Sequence, residues 1–268
     1  ECSSLESINV NLGNQKYNTQ NGVLFSKDME TLLVYPPKKN LNSYVIPDDV
    51  KTINDYAFVN CTILESIVIP NSVTSIGTYS FQGCSNLISI EIPNSVTSIG
   101  SYAFNGCSNL NEINVDPTNS HYLSEDHILY SKDKRVLIRY PPNKDSTIYN
   151  IPNYVTSIES YAFESSSKLA SIEIPNRVTS IGIYAFSGCS NLISIEIPNR
   201  VTNIGDSAFS GCSNLISIEI PNSVTSIGNS AFSGCSNLIS IEIPNSVTSI
   251  GYAFNGCSNL NEINVDPT

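Results

Sequence analysis

The sequence predicts a repeat solenoid that is mainly β and right-handed, with a parallel sheet on its concave face. The segment SNLISIEIPNSVTSIG at residues 85–100 returns letter for letter at residues 213–228 and 236–251. Cysteines follow the same period, since Cys84 and Cys107 are 23 residues apart. A fixed period of about 20 to 50 residues is the signature of stacked structural repeats. We therefore expect units of about 23 residues, each forming one turn of a solenoid.

Each unit contains one segment that predicts a short strand. In LISIEI, apolar and polar residues alternate and β-branched side chains dominate, which is typical of a half-buried strand. Successive strand residues point to opposite faces, so Leu87, Ile90 and Ile92 should face the core while Ser89 and Glu91 face solvent. A proline follows the strand in most units and ends its ladder pairing.

The remainder of each unit should return across the convex side. Val96, Ile99, Ala103 and Phe104 recur at spacings of three, four and one, which suits an irregular or single-turn helical segment. The glycine that follows this Ile in most units, such as Gly100, is expected to adopt a φ angle that other residues disfavour, although Asn54 and Glu159 occupy the site in two units.

One unit cannot fold alone. Ordering each of its residues costs about 1 to 2 kcal/mol in backbone entropy. Its few large apolar side chains gain roughly 1.5 to 3 kcal/mol each, and only when they are fully buried. Burial requires neighbouring units, so the repeated sequence follows from stacking, in which every unit meets the same surroundings.

A longer module interrupts the short period twice, at approximately residues 11–46 and 116–151. The two copies match at a constant offset of 105 residues, as in VLFSKD from Val23 and ILYSKD from Ile128. Each predicts a β-hairpin that projects from the solenoid, built from residues 23–25 and 31–35 in the first copy and 128–130 and 136–140 in the second. We expect residues 1–268 to form a single solenoid that is a fragment of a longer array.

Composition excludes several classes of protein. The net charge is -11, with 13 Lys and Arg in 268 residues, which argues against nucleic acid as a partner. The overall share of hydrophobic and charged residues is typical of a protein with a folded core. No stretch is long and apolar enough to predict a membrane span. The first residues lack the pattern of a secretory signal, so none is expected within this fragment.

Chemistry-bearing residues are few. The only two histidines, His121 and His127, both lie in the second long module. Neither a nucleophile motif nor metal-ligand spacing is present, so we expect no enzyme activity, no metal and no cofactor. The eight cysteines could form disulfides between stacked units, but the regular period favours a column of buried free thiols.

The residues on the solvent-facing side of the strands form the one pattern that indicates a function. Stacked glutamates should form an acidic column, and exposed isoleucines should form an apolar column beside it, with serines between. An apolar stripe next to an acidic stripe is what a protein-binding face could look like. Duplication of an unselected surface is the simple alternative, and a glycan or calcium site on the same oxygens is another. The candidate ligand-binding residues are Glu91, Glu173, Glu196, Glu219, Glu242, Ile193, Ile216 and Ile239.

The units resemble a known family. The pattern LxxIxIPxxVxxIGxxAFxxC, at residues 87–107 and 215–235, resembles the BspA-like class of leucine-rich repeats found in surface proteins of bacteria and parasitic protozoa. The segment GVLFSKDMETLLVYPP, residues 22–37, is similar to the irregular long repeats of such proteins. The resemblance implies a secreted or cell-surface protein that binds a host, neighbouring-cell or extracellular-matrix protein. A structural stalk or an antigenic display array is the remaining alternative.

Overall fold

The computed structural model describes residues 2–265 and divides the chain into two compact units, Glu1–Lys132 and Asp133–Thr268. Each unit is a β solenoid with turns of about 23 residues, and the described residues contain strands and turns without a helix. No segment among them is therefore a helix with the length and apolarity that a membrane crossing requires. The predicted fold class, a β solenoid of stacked repeats, is confirmed.

The predicted strands stack in parallel and form what we call the broad ladder. Chemically identical residues are paired from turn to turn, as in Ser194 with Ser217 and Ile195 with Ile218. Stacking of the same sequence therefore places each side chain against a copy of itself. In the first unit the strands are Ser43–Val45, Ser66–Val68, Ser89–Ile92 and Glu112–Val115. In the second they are Ile148–Asn150, Ser171–Glu173, Ser194–Glu196, Ser217–Glu219, Ser240–Ile243 and Glu262–Val265.

The return segment differs from the expectation of an irregular or helical stretch. It contains a second parallel ladder of two-residue strands, the narrow ladder, followed by turns. Its pairing again joins like residues, as in Ser157 with Ser180 and Ile158 with Ile181. The first unit contributes Thr52–Ile53, Ser75–Ile76 and Ser98–Ile99. The second contributes Ser157–Ile158, Ser180–Ile181, Asn203–Ile204, Ser226–Ile227 and Ser249–Ile250.

A column of phenylalanine rings runs through the core between the two ladders. In the second unit Phe163, Phe186, Phe209 and Phe232 are fully buried. The ring centroids of neighbouring phenylalanines are 5.0 to 5.6 Å apart, and the rings are nearly parallel. Tyr140 stacks on the first of them at 5.2 Å and so begins the column. Offset stacking of this kind adds to the stabilisation that burial of the rings provides.

The long modules do not project from the solenoid as predicted. The first forms three antiparallel strands, Tyr17–Gln20, Val23–Ser26 and Thr31–Val34, of which the first was not predicted. The third strand pairs in parallel with Thr52–Ile53 and so begins the narrow ladder. Phe25 and Leu32 are fully buried, which would be impossible in a projecting hairpin.

The second module is built in the same way. In the first unit Tyr122–Glu125 pairs antiparallel with Ile128–Ser131. In the second unit Val136–Arg139 pairs in parallel with Ser157–Ile158. Both long modules therefore supply a strand that continues the narrow ladder of two-residue strands.

The glycine that follows most of the narrow strands is required for a different reason from the one predicted; Asn54 and Glu159 take its place in two turns. Gly77 and Gly228 are absent from the residues with positive φ. A Cβ atom on Gly77 would lie 2.5 Å from the backbone nitrogen of Asp55, in the preceding turn. Close approach of two backbones, and not backbone conformation, therefore selects glycine here. Positive φ instead belongs to the glycine before the cysteine, such as Gly234 at 73°.

Candidate functional site

The outer face of the broad ladder exposes three residues from each regular turn. In the turn that contains Leu192, this leucine and the alternate residues Ile195 and Ile197 are buried, as predicted. Ser194 and Glu196 point outward. We call this surface of the second unit the glutamate face.

Four glutamates follow one another on the glutamate face. Glu196 pairs in register with Glu219, and Asn264 continues the column beyond Glu242. Glu173 stands beside Asn150 at the other end. All four carboxylates are exposed. Two like charges at the spacing of adjacent strands, about 4.8 Å, repel by about 1 kcal/mol in water and by more where water is excluded. The column therefore favours a cation or a basic partner.

Glu91 is not part of this column. It lies in the first unit, where it is paired with Asn114. The equivalent positions of the preceding turns are Val45 and Val68, both more than half exposed. The structure therefore brings together four of the five predicted glutamates and leaves Glu91 in a separate unit, where Val68 and Asn114 occupy the equivalent positions of the adjacent turns.

The apolar column lies beside the glutamates with the exposure that the sequence predicts. Ile193, Ile216 and Ile239 are 49%, 46% and 50% exposed. The backbone nitrogen of Ile216 donates to the carbonyl of Ile193 at 3.1 Å, and Ile239 donates in turn to Ile216 at 3.3 Å. These backbone bonds align the three residues in successive turns, so three large apolar side chains remain about half exposed to solvent in one column.

Two grooves lie over the glutamate column. The first has a volume of about 990 Å³ and extends from the serines of the strands to the Pro-Asn turns that follow them. Tyr154 and Arg177 line it together with Glu173 and Glu196. The second groove, about 860 Å³, contains Glu219 and Glu242 and is lined by serine, asparagine and proline. Tyr154 and Arg177 were not predicted as site residues, because both lie at a turn position whose residue type changes between repeats.

Both histidines lie in the first unit. The Nδ1 atom of His127 is 2.8 Å from Oδ1 of Asn114 and 3.9 Å from Oε2 of Glu112. His121 Nδ1 contacts the hydroxyl of Ser120 at 2.9 Å. In residues 2–265, no group of three His, Cys, Asp or Glu side chains is arranged to hold a metal ion.

The cysteines form a buried column beside the phenylalanines. Thiols of the regular turns donate to the phenylalanine carbonyl of the preceding turn, as in Cys212 to Phe186 at 3.2 Å. Burial raises the pKa of the Cys189 and Cys235 thiols to about 12. A thiol with so high a pKa is a poor nucleophile at neutral pH, which makes this column structural.

Comparison with known proteins identifies the fold and the kind of protein that shares it. A crystal structure of a leucine rich cell surface protein from Faecalibacterium prausnitzii is similar over 85% of this chain, with 40% identity and a TM-score of 0.81. The present chain spans 60% of that protein. A leucine-rich repeat protein from Eubacterium ventriosum has 24% identity, a TM-score of 0.70, and coverage of 94% of this chain and 83% of its own.

The pneumococcal vaccine antigen PcpA also shares the fold, with 22% identity, a TM-score of 0.70, and coverage of 99% of this chain and 79% of its own. No curated protein sequence matches. The family model described as the BspA type leucine rich repeat region matches residues 35–139 and 142–261. The chain therefore belongs to the BspA-type leucine-rich repeat family.

Proposed function

We propose that this chain is a non-enzymatic protein-binding scaffold of the cell surface or extracellular space, and that the glutamate face carries its binding site. The proposal rests on one observation: an exposed glutamate column and a half-exposed isoleucine column lie side by side on one face. The name of the Faecalibacterium protein, a cell surface protein, supports the location. The pneumococcal protein is described as a vaccine antigen, which is consistent with a repeat array that is accessible from outside the cell.

The chemistry of the face indicates the partner. Glu173, Glu196, Glu219 and Glu242 favour lysine and arginine side chains, whereas the isoleucine column favours an apolar strip beside them. A protein of a host cell, of a neighbouring cell or of the extracellular matrix can present both. Three successive turns repeat the same pair of a glutamate and an exposed isoleucine, so affinity would accumulate along the ladder.

A second candidate is a glycan or calcium site in the same grooves. Their linings supply many oxygen atoms, from serine hydroxyls, asparagine amides and glutamate carboxylates. Calcium prefers oxygen ligands of this kind. The third candidate, a stalk or antigenic display array, requires no ligand at this face.

Surface plasmon resonance distinguishes these three candidate functions. The chain is immobilised and exposed to a panel of extracellular-matrix proteins and mucin glycans, with and without calcium, at two salt concentrations. We expect saturable binding of a protein that weakens as salt screens the glutamates. Calcium-dependent glycan binding would favour the second candidate, and the absence of saturable binding across the panel would favour the third.

A further inference from the structure

The rim of the glutamate face changes its charge halfway along the second unit. We use the word rim for the residues that follow the Pro-Asn pair after each broad strand. The successive rim residues are Tyr154, Arg177, Arg200, Ser223 and Ser246. The glutamate column continues through the same turns, from Glu173 to Glu242. The first two glutamates are therefore followed by arginines, and the last two by serines.

The two arginine side chains are available to an external anion. Arg177 and Arg200 are both exposed. Neither forms an ion pair within the part of the chain that the structure describes, although Glu173 lines the same groove as Arg177. Because the two arginines occupy the same position in successive turns, their like charges also repel each other. Both properties favour an anionic group supplied by a partner.

The positive charge of the rim extends to Tyr154. The Nζ atom of Lys134 lies 5.4 Å from the centroid of the Tyr154 ring, within the range of a cation–π interaction. Tyr154 lines the first groove together with Arg177, Glu173 and Glu196. The first groove therefore has carboxylates on its strands and cationic groups on its rim.

The second groove has the same glutamates with a different rim. It is lined by Glu219 and Glu242, and none of the described residues that line it is a lysine or an arginine. Ser223 takes the place of Arg177, and its hydroxyl donates to the carbonyl of Val201 at 2.7 Å. The second groove therefore presents carboxylates alone, whereas the first presents both signs of charge.

We propose that the first groove binds a segment of the partner protein that carries one basic and one acidic side chain, and that Arg177 selects for the acidic one. This inference rests on the proposed function, because it takes the glutamate face as the binding site. The basic side chain lies over Glu173 and Glu196, and the acidic side chain lies over Arg177. In an extended segment, residues two positions apart point to the same side, so the pattern Lys-x-Glu presents both charges to the groove. A purely basic segment meets a like charge at Arg177 and is directed to the second groove.

Two peptides with an N-terminal rhodamine label test this selectivity by fluorescence anisotropy. The Lys-Glu peptide is Gly-Lys-Gly-Glu-Gly-Lys-Gly-Glu-Gly-amide, and the Lys-Gln peptide has Gln in place of Glu. We expect Arg177→Ser to weaken binding of the Lys-Glu peptide at least threefold, the size of effect that an exposed ion pair can give, and not to weaken binding of the Lys-Gln peptide. Equal effects on the two peptides, or no saturable binding of the Lys-Glu peptide to the native chain, would overturn the proposal.

The chain supplies a rescue experiment for the same variant. Serine already occupies the equivalent rim position at Ser223, so Arg177→Ser should keep the fold, which circular dichroism verifies. Ser223→Arg added to Arg177→Ser moves the arginine to the second groove and should restore binding of the Lys-Glu peptide. A folded double variant without this restoration would also overturn the proposal.

The variant Glu196→Gln tests the proposed function separately. It should weaken binding of both peptides, because both present lysine to the glutamate column. Binding of the Lys-Gln peptide that is unaffected by Glu196→Gln would contradict the glutamate face as a binding site. A loss in Glu196→Gln together with equal effects of Arg177→Ser on the two peptides would overturn only the selectivity assigned to Arg177.

Discussion

Removal of the Arg139 side chain alone should destabilise the protein strongly, whereas removal of Arg139 together with Glu164 should be tolerated. Nη2 of Arg139 lies 3.1 Å from Oε2 of Glu164, and the two side chains are only 4% and 16% exposed. Nη1 also donates to the carbonyl of Tyr161. Deletion of one partner of a buried ion pair leaves an uncompensated charge and costs about 3 to 5 kcal/mol. We expect this loss in Arg139→Val and in Glu164→Val.

The chain itself indicates that the double substitution is acceptable. The equivalent positions 105 residues earlier, in the first unit, are Val34 and Val59. The Arg139→Val/Glu164→Val variant should therefore lie within about 1 kcal/mol of the native protein, since apolar replacement of a whole buried pair is often neutral. Urea unfolding followed by circular dichroism measures each variant. The exposed pair Lys51–Glu30 is the control, because solvent screens such a pair and its loss should leave the midpoint of urea unfolding almost unchanged. Additive losses in the double variant would contradict this account.

Gly228→Ala should destabilise the second unit by about 2 to 3 kcal/mol, at the upper end of the cost of overpacking. The added methyl group would lie 2.5 Å from the backbone nitrogen of Asp206 and 2.6 Å from the carbonyl carbon of Gly205. Neither atom belongs to a flexible side chain, so the two turns must separate. Their separation strains the hydrogen bond from the backbone nitrogen of Gly228 to the carbonyl of Ile204, now 2.9 Å.

The matched control for this substitution is Gly13→Ala. No atom lies within 4 Å of a Cβ placed on Gly13. Its midpoint of urea unfolding should remain within experimental error of the native value. An equally small shift in Gly228→Ala would mean that the turns are packed less closely than the structure has them.

The strands of the broad ladder could be predicted from the sequence, because each is long enough to show alternation of apolar and polar residues. SIEI alternates over four residues, so inward and outward side chains follow directly. The narrow strands consist of two residues, such as Ser180–Ile181, which is too short for any alternation. Their pairing depends on the neighbouring turns, and only the structure reveals it.

The long modules were harder to predict for a related reason. Their hydrophobic runs indicate strands, but the sequence does not indicate that Leu32 pairs with Ile53 in the solenoid. The Arg139–Glu164 pair was also missed, because two residues 25 positions apart meet only when the turns stack. Of the candidate site, the exposed isoleucines and the column of four glutamates were predictable from the repeat. The grooves and Arg177 were not, because turn residues vary between repeats.

The most direct test of the proposed function compares charge reversal on the glutamate face with an equal change elsewhere. The Glu196→Lys/Glu219→Lys variant and the control Asp48→Lys/Asp49→Lys alter the net charge by the same amount, and all four side chains are exposed. Their affinities for the protein partner identified by surface plasmon resonance are measured at one salt concentration. We expect at least a tenfold loss for the first variant and less than a threefold change for the control. Unchanged binding by the first variant, with its fold intact, would contradict the assignment of the glutamate face as the binding site.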